Sequence, residues 1–94
     1  MSALVKLRLY VAGDGPNSLL AIANLNAICR EHLPDQYHVQ LVDVLLDPQR
    51  ALADGVFLTP TLVKLSPGPI RKIVGTLSQA VPVLLALGLP VPTA

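Results

Sequence analysis

Three prolines, Pro60, Pro67 and Pro69, constrain this chain more than any other feature. They lie in the stretch Leu58–Gly75, LTPTLVKLSPGPIRKIVG. Proline fixes its own φ and has no backbone N–H, so it punctuates β structure rather than continuing it. Thr61–Leu65 and Ile70–Val74 are rich in Leu, Ile, Val and Thr and flank Ser66-Pro67-Gly68-Pro69. That pattern predicts strand, turn, strand: a hairpin with a strong breaker at its tip. The first strand is led in by Thr59-Pro60-Thr61. Each X–Pro bond also makes the cis form accessible, which no other peptide bond does cheaply.

The rest of the composition sets the scale. Ninety-four residues make one small domain, 1–94. With 52% hydrophobic but only 3% aromatic residues, its core must be built from Leu, Val, Ile and Ala. Charged residues are 14%, against about 25% in ordinary domains. A chain this small and apolar is expected to expose apolar surface, which favours self-association or a protein partner. A net charge of +1 gives no basic field for nucleic acid, and there is no aromatic RNA-binding strand and no zinc spacing. One cysteine, Cys29, excludes an internal disulfide and a cysteine-based metal cluster, and suits the cytoplasm. Met1–Lys6 does not read as a signal peptide. A spanning helix needs about 20 predominantly apolar residues. The charge-free stretch from Ile73 to Ala94 is interrupted by Gly75, Pro82, Gly88, Pro90 and Pro92, so no membrane association is expected.

Leu4–Val11 alternates, with Val5, Leu7, Leu9 and Val11 on one face and Lys6, Arg8 and Tyr10 on the other. This predicts a strand with one buried face. A turn follows, with Asn17 or Ser18 as candidate N-caps for a helix from Leu19 to about Leu33, stopped by Pro34. Ile22, Leu25, Ile28, Cys29 and Leu33 make its apolar stripe. Tyr37–Leu45 is a second strand, apolar on both faces in its later half, as a central strand would be. Asp47-Pro48 starts a short helix, Gln49–Ala53, closed by Gly55. After the hairpin, Ser78 caps a final helix, Gln79–Leu87, in which Pro82 is tolerable only in the first turn. Pro90–Ala94 is expected to fray.

The fold class is therefore α/β, in the order β-α-β-α-β-β-α, with a parallel βαβ unit beside an antiparallel hairpin. This layout is similar to that of thioredoxins. Where they carry Cys-Gly-Pro-Cys, this chain reads Asp14-Gly15-Pro16-Asn17, and Thr59-Pro60-Thr61 matches their cis-proline lead-in. Disulfide exchange needs an attacking thiolate and a resolving partner, and neither Asp14 nor Asn17 supplies one.

Within that superfamily the chain resembles the circadian clock protein family KaiB. The runs that carry the resemblance are Leu9-Tyr10-Val11-Ala12-Gly13, Pro16-Asn17-Ser18, Leu25-Asn26, Val42-Asp43-Val44-Leu45 and Pro48-Gln49. They continue in Thr59-Pro60-Thr61-Leu62, Arg71-Lys72-Ile73-Val74-Gly75 and Leu77-Ser78. The resemblance implies a non-enzymatic regulator, without cofactor or metal, that binds the hexameric ATPase KaiC. KaiA or a sensor histidine kinase are further partners it implies, together with a free homo-oligomer, tetramer or dimer. It also implies a second fold for the C-terminal half, with Pro60, Pro67 and Pro69 as switch residues that change isomer. The chain departs from the family at Leu20, Ala23 and Gln40, where basic residues are usual, and at Pro67-Gly68-Pro69, where three prolines are usual. It reads as a divergent member. The alternative is a thioredoxin-like adaptor or chaperone-like oligomer with no clock role.

Arg8, Lys64, Arg71 and Lys72 are candidates for a basic patch that steers an acidic partner, against a scatter of solvated charges. Leu20 and Ala23 are candidates for an apolar contact if exposed, and Gln40 marks the same altered surface. Asn24 and Asn26 read as exposed amides. Asp43 reads as a salt-bridged or edge carboxylate, Cys29 as a core thiol, and His32 and His38 as surface histidines.

Overall fold

The computed structural model describes residues 4–33 and 35–91. Its elements are β1 (Val5–Val11), α1 (Pro16–His32), β2 (Tyr37–Asp43), α2 (Pro48–Ala53), β3 (Thr61–Ser66), β4 (Arg71–Val74) and α3 (Ala80–Leu87). The sheet runs β2-β1-β3-β4. β1 pairs parallel with β2, Leu9 opposite Leu41, and antiparallel with β3, Leu9 opposite Leu62. β3 and β4 form the expected antiparallel hairpin, Val63 opposite Lys72. The peptide bonds preceding Pro60, Pro67 and Pro69 are cis.

Two apolar layers sandwich the sheet. On one face Val5, Leu7, Leu9 and Val11 pack against Ala21, Leu25, Ile28 and Cys29 of α1 and Val83, Leu84 and Leu87 of α3. On the other, Tyr10, Val42 and Val63 pack against Ala51 of α2 and Val56 of the loop that follows it. Tyr10 is 0% exposed, so β1 is buried on both faces at its C-terminal end, not on one as its alternation suggests. Six residues of α2 close that second face, an effect of tertiary placement that strand periodicity does not carry.

β2 is an edge strand rather than a central one. Its apolar residues face water in part, and Leu41 is 55% exposed. A continuous apolar run is compatible with a buried strand but does not require one. It ends at Asp43, two residues early, because Val44–Leu46 turn back toward α2.

Helix boundaries differ for physical reasons. α1 begins at Pro16 with Gly15 as N-cap, since proline's fixed φ and missing N–H suit the first helical turn. Asn17 and Ser18 therefore lie inside the helix. Ser18 is buried, and its Oγ accepts from the Ala12 N–H at 3.3 Å. Pro34, the expected stop, lies outside the described residues. α1 ends at His32 with Leu33 as its C-cap, whose N–H returns to the Cys29 carbonyl at 2.8 Å. α2 starts as expected, the Asp47 side chain accepting from the Arg50 N–H at 3.3 Å. Gln79, not Ser78, is the N-cap of α3 and makes no side-chain cap bond; Pro82 falls in the first turn. Gly88 ends that helix at φ 74°, the left-handed conformation that glycine adopts without steric cost. Leu89 and Val91 then pack against the core instead of fraying, while 92–94 lie outside the described residues.

Candidate partner-binding surface

The end of the sheet carrying the β1–α1 turn is held by polar contacts to backbone. Asp43 Oδ1 accepts from the Gly13 N–H at 3.1 Å and the Leu45 N–H at 2.9 Å, so this carboxylate is satisfied by amides rather than by a salt bridge. Gly75 N–H donates to the Pro60 carbonyl at 2.9 Å, and Thr61 Oγ1 to the Leu58 carbonyl at 2.6 Å. Asn24 is not a free amide. Its Nδ2 donates to the Thr76 carbonyl at 2.8 Å and ties α1 to the β4–α3 loop. In that loop Leu77 is buried at φ 63°, a left-handed conformation uncommon for a leucine.

The four basic candidates do not form one patch. Strand alternation and register put Arg8 and Lys72 on the α2 face, with Lys64 and Arg71 on the α1/α3 face. Lys64 is only 6% exposed, while Arg71 and Lys72 are exposed. Arg8 is already engaged. Its Nη1 lies 2.7 Å from Asp54 Oδ2, and its Nε donates to Gln40 Oε1 at 2.9 Å. The Tyr10 hydroxyl also donates to Asp54 Oδ2 and reaches the Arg50 carbonyl at 3.2 Å.

This network sets the local electrostatics. The Tyr10 hydrogen bond is the chief influence holding the Asp54 carboxyl below its ordinary pKa; burial opposes it, and Arg8 and Lys72 add to it. Burial pulls the Arg8 guanidinium down, but its hydrogen bonds to Asp54 and Tyr10 outweigh that and leave it raised. Burial pushes the Tyr10 phenol up. The sequence reading missed Asp54, because nothing local marks a carboxylate 46 residues from its arginine. The Arg8–Gln40 half follows directly once β1 and β2 are placed in register.

Leu20 and Ala23 are exposed on α1, Leu20 at 52%, beside the equally open Leu19. A second apolar surface was not foreseen. Leu46, Phe57 and Leu58 are exposed, and Phe57 and Leu52 line a groove of about 360 Å³ against α2. A hydrophobic surface with few charges fits a protein partner better than a polar substrate.

Nucleophilic chemistry finds little here. Asp14-Gly15-Pro16-Asn17, leading into α1, carries no thiol. Cys29 is fully buried, and burial pushes its thiol up to about 11, which keeps it protonated at neutral pH. Among the described residues no group of His, Cys, Asp or Glu could hold a metal, and no helix is long and apolar enough to cross a membrane.

Comparison with known proteins gives a consistent result. A family model described as KaiB domain matches residues 8–89. The chain is 47% identical over 83 residues to the circadian clock protein KaiB3 of Synechocystis, covering 88% of this chain and 81% of that protein. It is 46% identical over 92 residues to the circadian clock oscillator protein KaiB of Cyanothece, covering 95% and 88%. Among solved structures it matches the N-terminal domain of Synechococcus elongatus SasA with TM-score 0.76 at 23% identity, covering 89% and 82%. It also matches chloroplastic thioredoxin z with TM-score 0.70 at 17% identity, covering 90% and 79%. At those identities the two structures establish the thioredoxin-like fold alone.

Proposed function

The chain belongs to the KaiB family, and from that membership we propose that it is a non-enzymatic circadian clock regulator that binds a hexameric KaiC-type ATPase and modulates its phosphorylation cycle. The observation that carries this reading is the match over residues 8–89, together with the clock role in the names of its relatives. Its chemistry is in keeping with binding rather than catalysis, since Asp14-Gly15-Pro16-Asn17 carries no thiol and the one cysteine is buried. The contact residues in this reading are Leu20 and Ala23 on α1 with Arg71 and Lys72 on β4. Arg8 and Gln40 act through the network that shapes the sheet face between them, and Lys64 through its place in the sheet. Pro60, Pro67 and Pro69 stay assigned to the segment that differs between two folds. KaiA, a sensor histidine kinase and further copies of the chain are secondary partners in the same reading, which places the protein in the cytoplasm.

The exposed Leu19, Leu20 and Ala23 favour a second reading, an adaptor or chaperone-like oligomer without a clock role. Size-exclusion chromatography of the chain mixed with a KaiC-type hexamer and ATP separates the two. The expected result is co-elution at ring size. An intact ring eluting without the chain after long incubation argues for the second reading.

A further inference from the structure

β4 is one of the two open edges of the sheet, paired with β3 alone, as β2 is paired with β1 alone. Its outer row of backbone N–H and C=O groups is a template for an added strand, and proteins commonly blunt such edges with positive charge. Here the charge also selects. From Gly55 to the end the chain carries Lys64, Arg71 and Lys72 and no Asp or Glu. Among the described residues neither Arg71 nor Lys72 is within salt-bridge distance of a carboxylate. A second copy pairing along this edge would bring four cations together, so self-pairing is disfavoured and an acidic strand is favoured.

The two faces of β4 repeat one pattern. On the α2 side lies Lys72, then Val74 beside a recess of about 120 Å³ shared with Val56 and Leu58. On the α3 side lies Arg71, then Ile73 beside a groove of about 310 Å³ shared with Leu77, Pro82 and Val83. The Asn24–Thr76 bond and the buried Leu77 hold the wall of the larger groove in place. Each face thus offers one cation and one recess in the same order along the strand; the α2-side recess is mostly apolar, and the α3-side groove adds Thr76, Ser78 and Gln79 to its apolar lining.

We propose that β4 takes an extended acidic segment of a partner protein as a fifth, antiparallel strand. Opposite Val74, Ile73, Lys72 and Arg71, the segment reads two apolar residues followed by two acidic ones. Main-chain bonds hold the strand, and the alternating recesses and cations select its sequence. No ATPase ring is needed, so this edge and the proposed function succeed or fail separately.

The test is an NMR titration of the isotope-labelled chain with a capped peptide, Thr-Val-Ile-Glu-Asp-Thr, and with its counterpart bearing Lys-Lys for Glu-Asp. The acidic peptide is expected to shift the amide signals of residues 71–74, more weakly as salt rises, and the lysine peptide to leave them in place. Arg71→Glu should weaken the acidic peptide roughly tenfold and gain binding to the lysine peptide. Arg71 is exposed, and an unchanged spectrum away from β4 verifies that the variant is folded. Absence of shifts at 71–74, equal behaviour of the two peptides, or an Arg71→Glu variant that binds like the parent would overturn the assignment.

Discussion

Alanine at Asp54 is expected to lower the free energy of unfolding by about 2–3 kcal/mol, with a fall in melting temperature on the order of 10 °C. The carboxylate accepts from both Arg8 and Tyr10. Removing it leaves a part-buried guanidinium and a phenol in a fully buried residue without their principal acceptor. Arg8 keeps Gln40 and some water, and Tyr10 keeps the Arg50 carbonyl, so the loss stays below that of a sealed ion pair. The effect has a defined pH dependence. Asp54 is held below its ordinary pKa, chiefly by Tyr10. Its contribution is therefore full above the unfolded carboxylate pKa of about 3.9 and is lost as pH falls through the depressed folded value. Denaturant titrations should show a constant gap between parent and Asp54→Ala from neutral pH down to about pH 5, closing below about pH 4. A gap that widens in acid would contradict the network.

Leu9→Ala should cost more, about 3–5 kcal/mol. Leu9 is 1% exposed, lies in the middle of β1 between Leu41 and Leu62, and belongs to the layer under α1 and α3. Truncation removes buried surface and leaves a cavity in an aliphatic core with few aromatic side chains to fill it. Small domains are stable by roughly 5–15 kcal/mol, so this variant should be partly unfolded at modest denaturant. Leu41→Ala, at the partner position on the exposed edge strand, should cost under about 0.5 kcal/mol. Equal losses for the two would mean that β2 is not at the edge.

That pair of leucines also shows what the sequence carried and what it did not. β1, the hairpin and the start of α2 were legible because alternation, a proline-rich tip and Asp47-Pro48 are local signals. Membership of the α/β layout followed from their order. The rank of β2 in the sheet was not legible, since Leu41 and Val42 read alike until the strand order is known. The Tyr10 side of β1 was misread because its cover, α2, is too short to announce itself by periodicity. Of the candidate surface, Leu20 and Ala23 fell where a helical face predicts. The basic residues divided between two faces because strand parity and the β3–β4 register separate Arg71 from Lys72. Phe57 and its groove depend on how the loop after α2 lies, which no local motif encodes.

The proposed clock role requires that the thioredoxin-like chain, with the hairpin and α3 arranged as described above, is the form that binds the ring. A cryo-electron microscopy map of the chain on a KaiC-type ring tests this most directly. It should show strands over 61–66 and 71–74 and a helix over 80–87 in the bound protomer. A bound chain with helix in place of those strands, or a strand in place of α3, would contradict it.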